Sequence, residues 1–110
     1  MTAPTATPET PDWCVYIIEA CDCRLYTGIT NDITRRWQAH SSGKGGAKFF
    51  RGRKPKTLCY LEGDHSRSSA SRREAAIKKL SRRKKEELIA SQSQADRTLL
   101  KRLIESAVRA

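Results

Sequence analysis

The sequence predicts a small α+β domain, and three observations point there. Short β-branched and aromatic runs, WCVYIIEA, LYTGIT and LCYLEG, read as strands. Segments such as ITRRWQAH and HSRSSASRREAAIKKL carry apolar residues at helical spacing. The length, 110 residues, suits one domain with a modest core.

Residues 1–11, MTAPTATPETP, are rich in Thr, Pro and Ala and lack apolar periodicity, so a disordered tail is expected. They have neither the basic nor the apolar region of a secretory leader. No apolar run approaches the roughly 18 residues of a membrane span, and a cytoplasmic location is expected. Trp13–Ala20 and Leu25–Thr30, parted by CDCR, read as a hairpin. Gly28 interrupts the second strand. Glycine weakens a strand, and there it marks a bulge, a bend or a close approach to the backbone.

Thr30, Asn31 and Asp32 supply cap chemistry for a helix over ITRRWQAH, which SSGKGG ends. Residues 43–57 form a long basic loop with Phe49 and Phe50 among its cations. LCYLEG is the third strand. The Ser-rich start of HSRSSASRREAAIKKL caps a helix with Ala70, Ile77 and Leu80 on one side. SRRKKEELIA continues that helix or starts another with Ser81 as N-cap. ADRTLLKRLIESAVRA reads as an amphipathic helix that packs back on the domain or meets a partner. The expected organisation is a tail over 1–11, a domain over 12–90 and a C-terminal helix over 91–110.

Lys and Arg total 22 against 12 Asp and Glu, a net charge of +10. That excess attracts polyanions, with nucleic acid the leading partner class and a membrane surface second. Cys14, Cys21, Cys23 and Cys59 are expected to be reduced. The spacing of Cys21 and Cys23, without paired histidines, favours buried thiols over structural zinc.

Tyr16 and Tyr26 lie on adjacent strands and are either a structural cross-strand pair or part of a site. Tyr26 shares a face with Gly28, whose missing side chain leaves space beside the phenol. Arg36 and His40 share a helix face at the rim of the Ile33/Trp37 stripe. They are solvated rim residues, or a phosphate grip and a group that donates a hydrogen bond or shuttles a proton. Glu74 is an isolated acid among cations. It is a surface partner of Lys78, or the single carboxylate that suffices for Mg²⁺ beside a phosphate. These residue types answer the needs of phosphodiester hydrolysis: a base for water, charge on the phosphate and help for the leaving oxygen.

In order, CVYII, LYTGITND, TRRWQAH, RGRKP and RREAAIKKLSR resemble the GIY-YIG nucleases, in their small single-domain branch, over residues 13 to about 90. The name-giving tripeptides stand as Cys14-Val15-Tyr16 and Tyr26-Thr27-Gly28. The resemblance implies a three-stranded antiparallel sheet flanked by helices and metal-dependent cleavage of DNA. It implies Tyr26 as general base or water-orienting group and Tyr16 lining the same site. It implies Arg36 on the scissile phosphate, His40 in proton transfer and Glu74 holding one Mg²⁺ or Mn²⁺. A phenol titrates at about 10, so a metal or cations must assist it as base. Gly28 would leave room for the phosphate. Many members carry an asparagine after the metal-binding glutamate; here Asn31 is the only asparagine and precedes Glu74.

The expected function is a divalent-metal-dependent DNA endonuclease of low sequence specificity, for branched or damaged DNA in repair or recombination. The alternative is a catalytically weak or inactive nucleic-acid-binding module. In either case Lys44, Lys48, Arg51, Arg53 and Lys54 would contact phosphates, and in the module Lys56 would join them while Phe49 and Phe50 stack on bases. A third reading is an interaction protein that docks or self-associates through the helix over 96–108.

Overall fold

The strand-forming runs build one antiparallel sheet in the computed structural model, which describes residues 12–42 and 45–92. β1 (Trp13–Ala20) is central, flanked by β2 (Leu25–Thr30) and by β3 (Pro55–His65). Helices α1 (Ile33–Ser42), α2 (Arg67–Lys78) and α3 (Arg82–Ala90) complete the domain. The expected tail, Lys44 and the helix over 96–108 lie outside the described residues.

β1 is covered on both faces, which is why it reads as a continuous apolar run. Tyr16, Ile18 and Ala20 pack with Trp37, Phe50 and Leu58 on one side. Val15 and Ile17 pack with Tyr60, Ala70 and Ile77 on the other. Thus α1 and the segment after it cover the first face, while α2 covers the second. Leu88 and Ile89 of α3 extend the second cluster.

β3 differs from expectation: it starts at Pro55, inside the expected basic loop, and runs to His65. Ladder pairing of Pro55 with Ala20 and Thr57 with Glu19 outweighs the weak strand preference of the lysines. Proline is tolerated because it opens the strand. Ile17 pairs with Tyr60 but Ile18 with Leu58, so Cys59 is an extra, bulged residue. Leu58 and Tyr60 therefore enter opposite cores.

α1 continues through Ser41 and Ser42, past its expected end. Asp32 caps it, accepting from the Arg35 amide at 3.1 Å. Ser66 and Ser69 form a reciprocal capping box at α2, and Ser81 accepts from the Lys84 amide to start α3 as a separate helix. Glu62 ties β3 to α2, accepting from Tyr60 Oη at 2.7 Å and from Arg73 Nε at 3.2 Å. All four cysteines are free, but the expectation of burial fails for Cys21 and Cys23, which sit exposed in the hairpin turn. Cys14 and Cys59 are half-buried. No helix among the described residues is long and apolar enough to cross a membrane.

Ile77 is fully buried between α2 and the sheet. Ile77→Ala is expected to cost about 2–5 kcal/mol. A urea titration checks this through a lowered midpoint at unchanged slope.

Candidate active site

Tyr16 stands directly opposite Gly28 in the β1–β2 ladder. A Cβ at Gly28 would lie 2.5 Å from Tyr16 Oη, 2.7 Å from Cζ and 3.0 Å from Tyr26 Cε2. The close approach marked by this glycine is therefore the phenol of Tyr16. The open space expected beside Tyr26 for a phosphate is occupied by that ring, a correction with a simple cause. Directly opposed residues are the nearest cross-strand neighbours, so only a bare Cα admits a tyrosine laid over it. The two tyrosine rings lie 6.1 Å apart between centroids, on one face.

His40 is 1% exposed, not at the rim. α1 turns it inward above Tyr16, where Phe50 packs on the imidazole at 4.4 Å between centroids. The Ala47 amide donates to Nδ1 at 3.3 Å. Nδ1 is therefore bare, and in the neutral ring Nε2 carries the hydrogen and donates to Tyr16 Oη at 2.9 Å. Burial, reinforced by the Arg36 charge, lowers the His40 pKa to about 4. The imidazole is a fixed neutral donor at neutral pH.

Arg36 approaches the same oxygen from the mouth of the site. Its Nε donates to Tyr16 Oη at 3.4 Å and its Nη1 to the Gly45 carbonyl at 3.0 Å. Tyr16 Oη thus accepts from two side chains. Burial nevertheless pushes the phenol well above its ordinary pKa, with Arg36 only partly opposing it. Two of the five guanidinium N–H groups are used in these bonds, the Tyr26 phenol also draws on the guanidinium, and a phosphate can accept from the N–H groups that remain.

A cleft of about 300 Å³ opens beside Arg36, lined by Thr30, Asn31, Asp32, Arg35, Ala39 and Gly45. Neither Asn31 nor Arg35 was named as a site residue from the sequence. The signals available were the asparagine in the cap and the Arg35-Arg36 doublet. Tyr26 packs against Phe49, 5.2 Å between ring centroids.

The basic loop divides into two sets. Lys48, Arg51, Lys54 and Lys56 are exposed. Arg53 was expected to contact phosphate. Instead its Nε pairs with Asp22 at 2.9 Å, its Nη1 donates to the Phe49 carbonyl at 2.7 Å, and it lies over the Phe49 ring. Those bonds fold the loop onto the hairpin. Phe50, expected to stack on bases, is 4% exposed and belongs to the core.

Glu74 lies on α2, the helix that covers the opposite face of the sheet. It pairs with Lys78 at 3.2 Å. Among the described residues, neither a hydrogen bond nor an ion pair joins it to Tyr16, Arg36 or His40. The described residues contain no group of three or more His, Cys, Asp or Glu that could hold a metal. The donor set is one hard carboxylate. That fits Mg²⁺ or Mn²⁺ completed by water and substrate phosphate, and it does not fit an all-protein cage.

A three-stranded antiparallel sheet with β1 central, flanked by three helices and carrying an arginine-lined cleft, is the arrangement of a GIY-YIG-like α+β domain. A family model, the GIY-YIG catalytic domain, matches residues 12–87, and the chain belongs to the GIY-YIG family, a nuclease superfamily. Its members are generally divalent-metal dependent. Among curated proteins it is similar to the UPF0213 protein DP2720 of Desulfotalea psychrophila, 49% identical over 74% of this chain and 76% of that one. It is also similar to the UPF0213 protein YhbQ of Escherichia fergusonii, 47% identical over 74% and 80%. The solution structure of the UPF0213 protein BH0048 from Bacillus halodurans is 44% identical, with a TM-score of 0.50 over 78% of this chain and 92% of that one.

Gly28→Ala drives a methyl into the held Tyr16 phenol and is expected to cost about 1–3 kcal/mol, read as a lowered urea midpoint. His40 makes stability pH-dependent. Its folded pKa of about 4 lies below the unfolded value of 6.5, so the unfolded chain binds the extra proton between them. Stability is full above the unfolded value and falls as pH drops toward the folded one. Between about pH 7 and pH 5 the His40 contribution falls by roughly 2 kcal/mol. His40→Gln should flatten that part of the slope in paired urea titrations.

Proposed function

We propose that this chain is a divalent-metal-dependent DNA endonuclease of low sequence specificity, acting in the cytoplasm on branched or damaged DNA in repair or recombination. The observation that carries the reading is the convergence of His40 Nε2 and Arg36 Nε on one buried phenol oxygen at the edge of a cleft.

In this reading Arg36 binds the scissile phosphate through its free N–H groups and neutralises charge that grows in the transition state. Tyr26 orients the attacking water, and as its phenolate would take the water's proton. Tyr16 holds Arg36 in place, and His40 holds Tyr16. His40 is a positioning residue, since its Nε2 already carries a hydrogen and cannot accept another. Glu74 would hold Mg²⁺ or Mn²⁺, which supplies Lewis-acid charge to the phosphate oxygens. Lys44, Lys48, Arg51 and Lys54 contact flanking phosphates. Without an asparagine following Glu74, turnover is expected to be slow.

Labelled single-stranded, duplex and branched DNA, incubated with Mg²⁺, Mn²⁺ or EDTA, test the reading. Metal-dependent cleavage is expected, lowered by about 10²–10³ in Arg36→Ala and abolished in Glu74→Ala. Binding of all three DNAs without cleavage by the unaltered protein would leave a nucleic-acid-binding module.

A further inference from the structure

The β1–β2 turn is held from two sides by cationic segments distant in sequence. From one side comes the basic loop. The Cys21 amide donates to the Lys54 carbonyl at 2.8 Å, and Arg53 pairs with Asp22 at 2.9 Å. From the other side comes α3, where Arg82 Nη1 donates to the Cys23 carbonyl at 2.7 Å. The turn itself is tight, with Cys23 in the left-handed region at φ 71°. These bonds place the loop, the turn and α3 edge to edge at the hairpin end of the sheet.

Charge follows the same path. Arg51 and Lys54 are exposed on the loop, Arg24 on the turn, and Arg82, Arg83 and Lys84 on α3. Most acids nearby are already engaged: Asp22 by Arg53 and, at 3.7 Å, by Arg24; Glu86 by Arg82 at 2.9 Å; and Glu87 by Arg83 at 3.5 Å. That leaves Glu19 on β1, beside Cys59. Arg51, Lys54 and Lys84 have no carboxylate partner among the described residues. Surface ion pairs of this kind contribute little and yield readily to a phosphate. At its other end the loop borders the cleft through Gly45, which lines it and accepts from Arg36.

We infer that the exposed cations of α3, with Arg24, form a second phosphate-binding surface continuous with the basic loop. A nucleic-acid strand held at the cleft runs along the loop, over the hairpin turn and onto α3. The inference rests on nucleic acid being the substrate, as proposed above, but not on cleavage. It gives the domain a footprint longer than the cleft, and a means of holding one arm of a branched substrate while the cleft engages another. A phosphate backbone is held by charge alone and needs no apolar anchor.

Duplex DNA binding by the full chain, measured in EDTA over a range of salt, tests it. Arg83→Gln/Lys84→Gln should reduce the slope of log K against log [salt] by about 0.9 for each phosphate no longer neutralised, so by up to about 2. It should also shorten the duplex needed for full affinity, and leave the melting temperature unchanged. Arg67→Gln/Arg72→Gln removes the same charge from the half of α2 that begins near Trp13, at the other end of the sheet. It should alter the slope far less. An equal fall in both variants, or no fall in the α3 variant, overturns the inference. So does weakened binding of the α3 variant to anionic phosphatidylserine vesicles with DNA binding intact, which would make the band a membrane surface. Because the readout is binding without metal, it can fail while cleavage stands, and cleavage can fail while it stands.

Discussion

Everything near the cleft depends on burying one phenol. Tyr16 lies at the middle of the central strand, wholly inside the protein, and its oxygen must be satisfied there. Three segments meet that demand. β2 contributes a glycine so that the ring can lie down. α1 contributes the histidine and arginine that donate to the oxygen. The segment after α1 contributes Ala47, whose amide selects the tautomer that makes His40 a donor. Remove the glycine and the ring has no place. Remove the Ala47 bond and the imidazole no longer has a required direction.

The same arrangement separates permanent charge from conditional charge. Arg36 stays cationic, and its bond with Tyr16 reinforces that. His40 is kept neutral by burial, with the Arg36 charge adding to the effect. A second cation behind the first would repel the arginine from the phenol, so neutrality at His40 is a condition of the geometry. The sheet separates other roles. One face carries the phenols, the imidazole and the phenylalanines packed against them. The opposite face carries α2 with Glu74, and the Glu62 clamp that anchors that helix to β3. Membership in the GIY-YIG family follows from the fold and the matched residues. The chemistry at the cleft is then a matter of which groups remain free once these structural bonds are made.

The basic character of the chain has two distinct uses. Some cations fold the protein: Arg53 fastens the loop to the hairpin, and Arg73 fastens α2 to β3. Others stand free in solvent, and these give the domain its field. Composition reports their sum, and only the bonds show which belongs to which group.

The sequence by itself determined the α+β class, the hairpin, the cap-forming stretches ahead of α1 and α2, and the shared face of Tyr16, Tyr26 and Gly28. These follow from local propensity and from the two-residue period of a strand. The i,i+4 pairing of Glu74 with Lys78 is equally local. Tertiary structure alone decided the rest. It decided that Gly28 admits a tyrosine, that His40 is interior and neutral, that Phe50 is core, that Arg53 is spent on Asp22, and that β3 reaches back to Pro55. Each of these depends on a partner distant in the chain, or on the desolvation that packing imposes. Spacing along the chain carries no information about either, because a glycine or a cation looks the same in sequence whatever comes to lie against it.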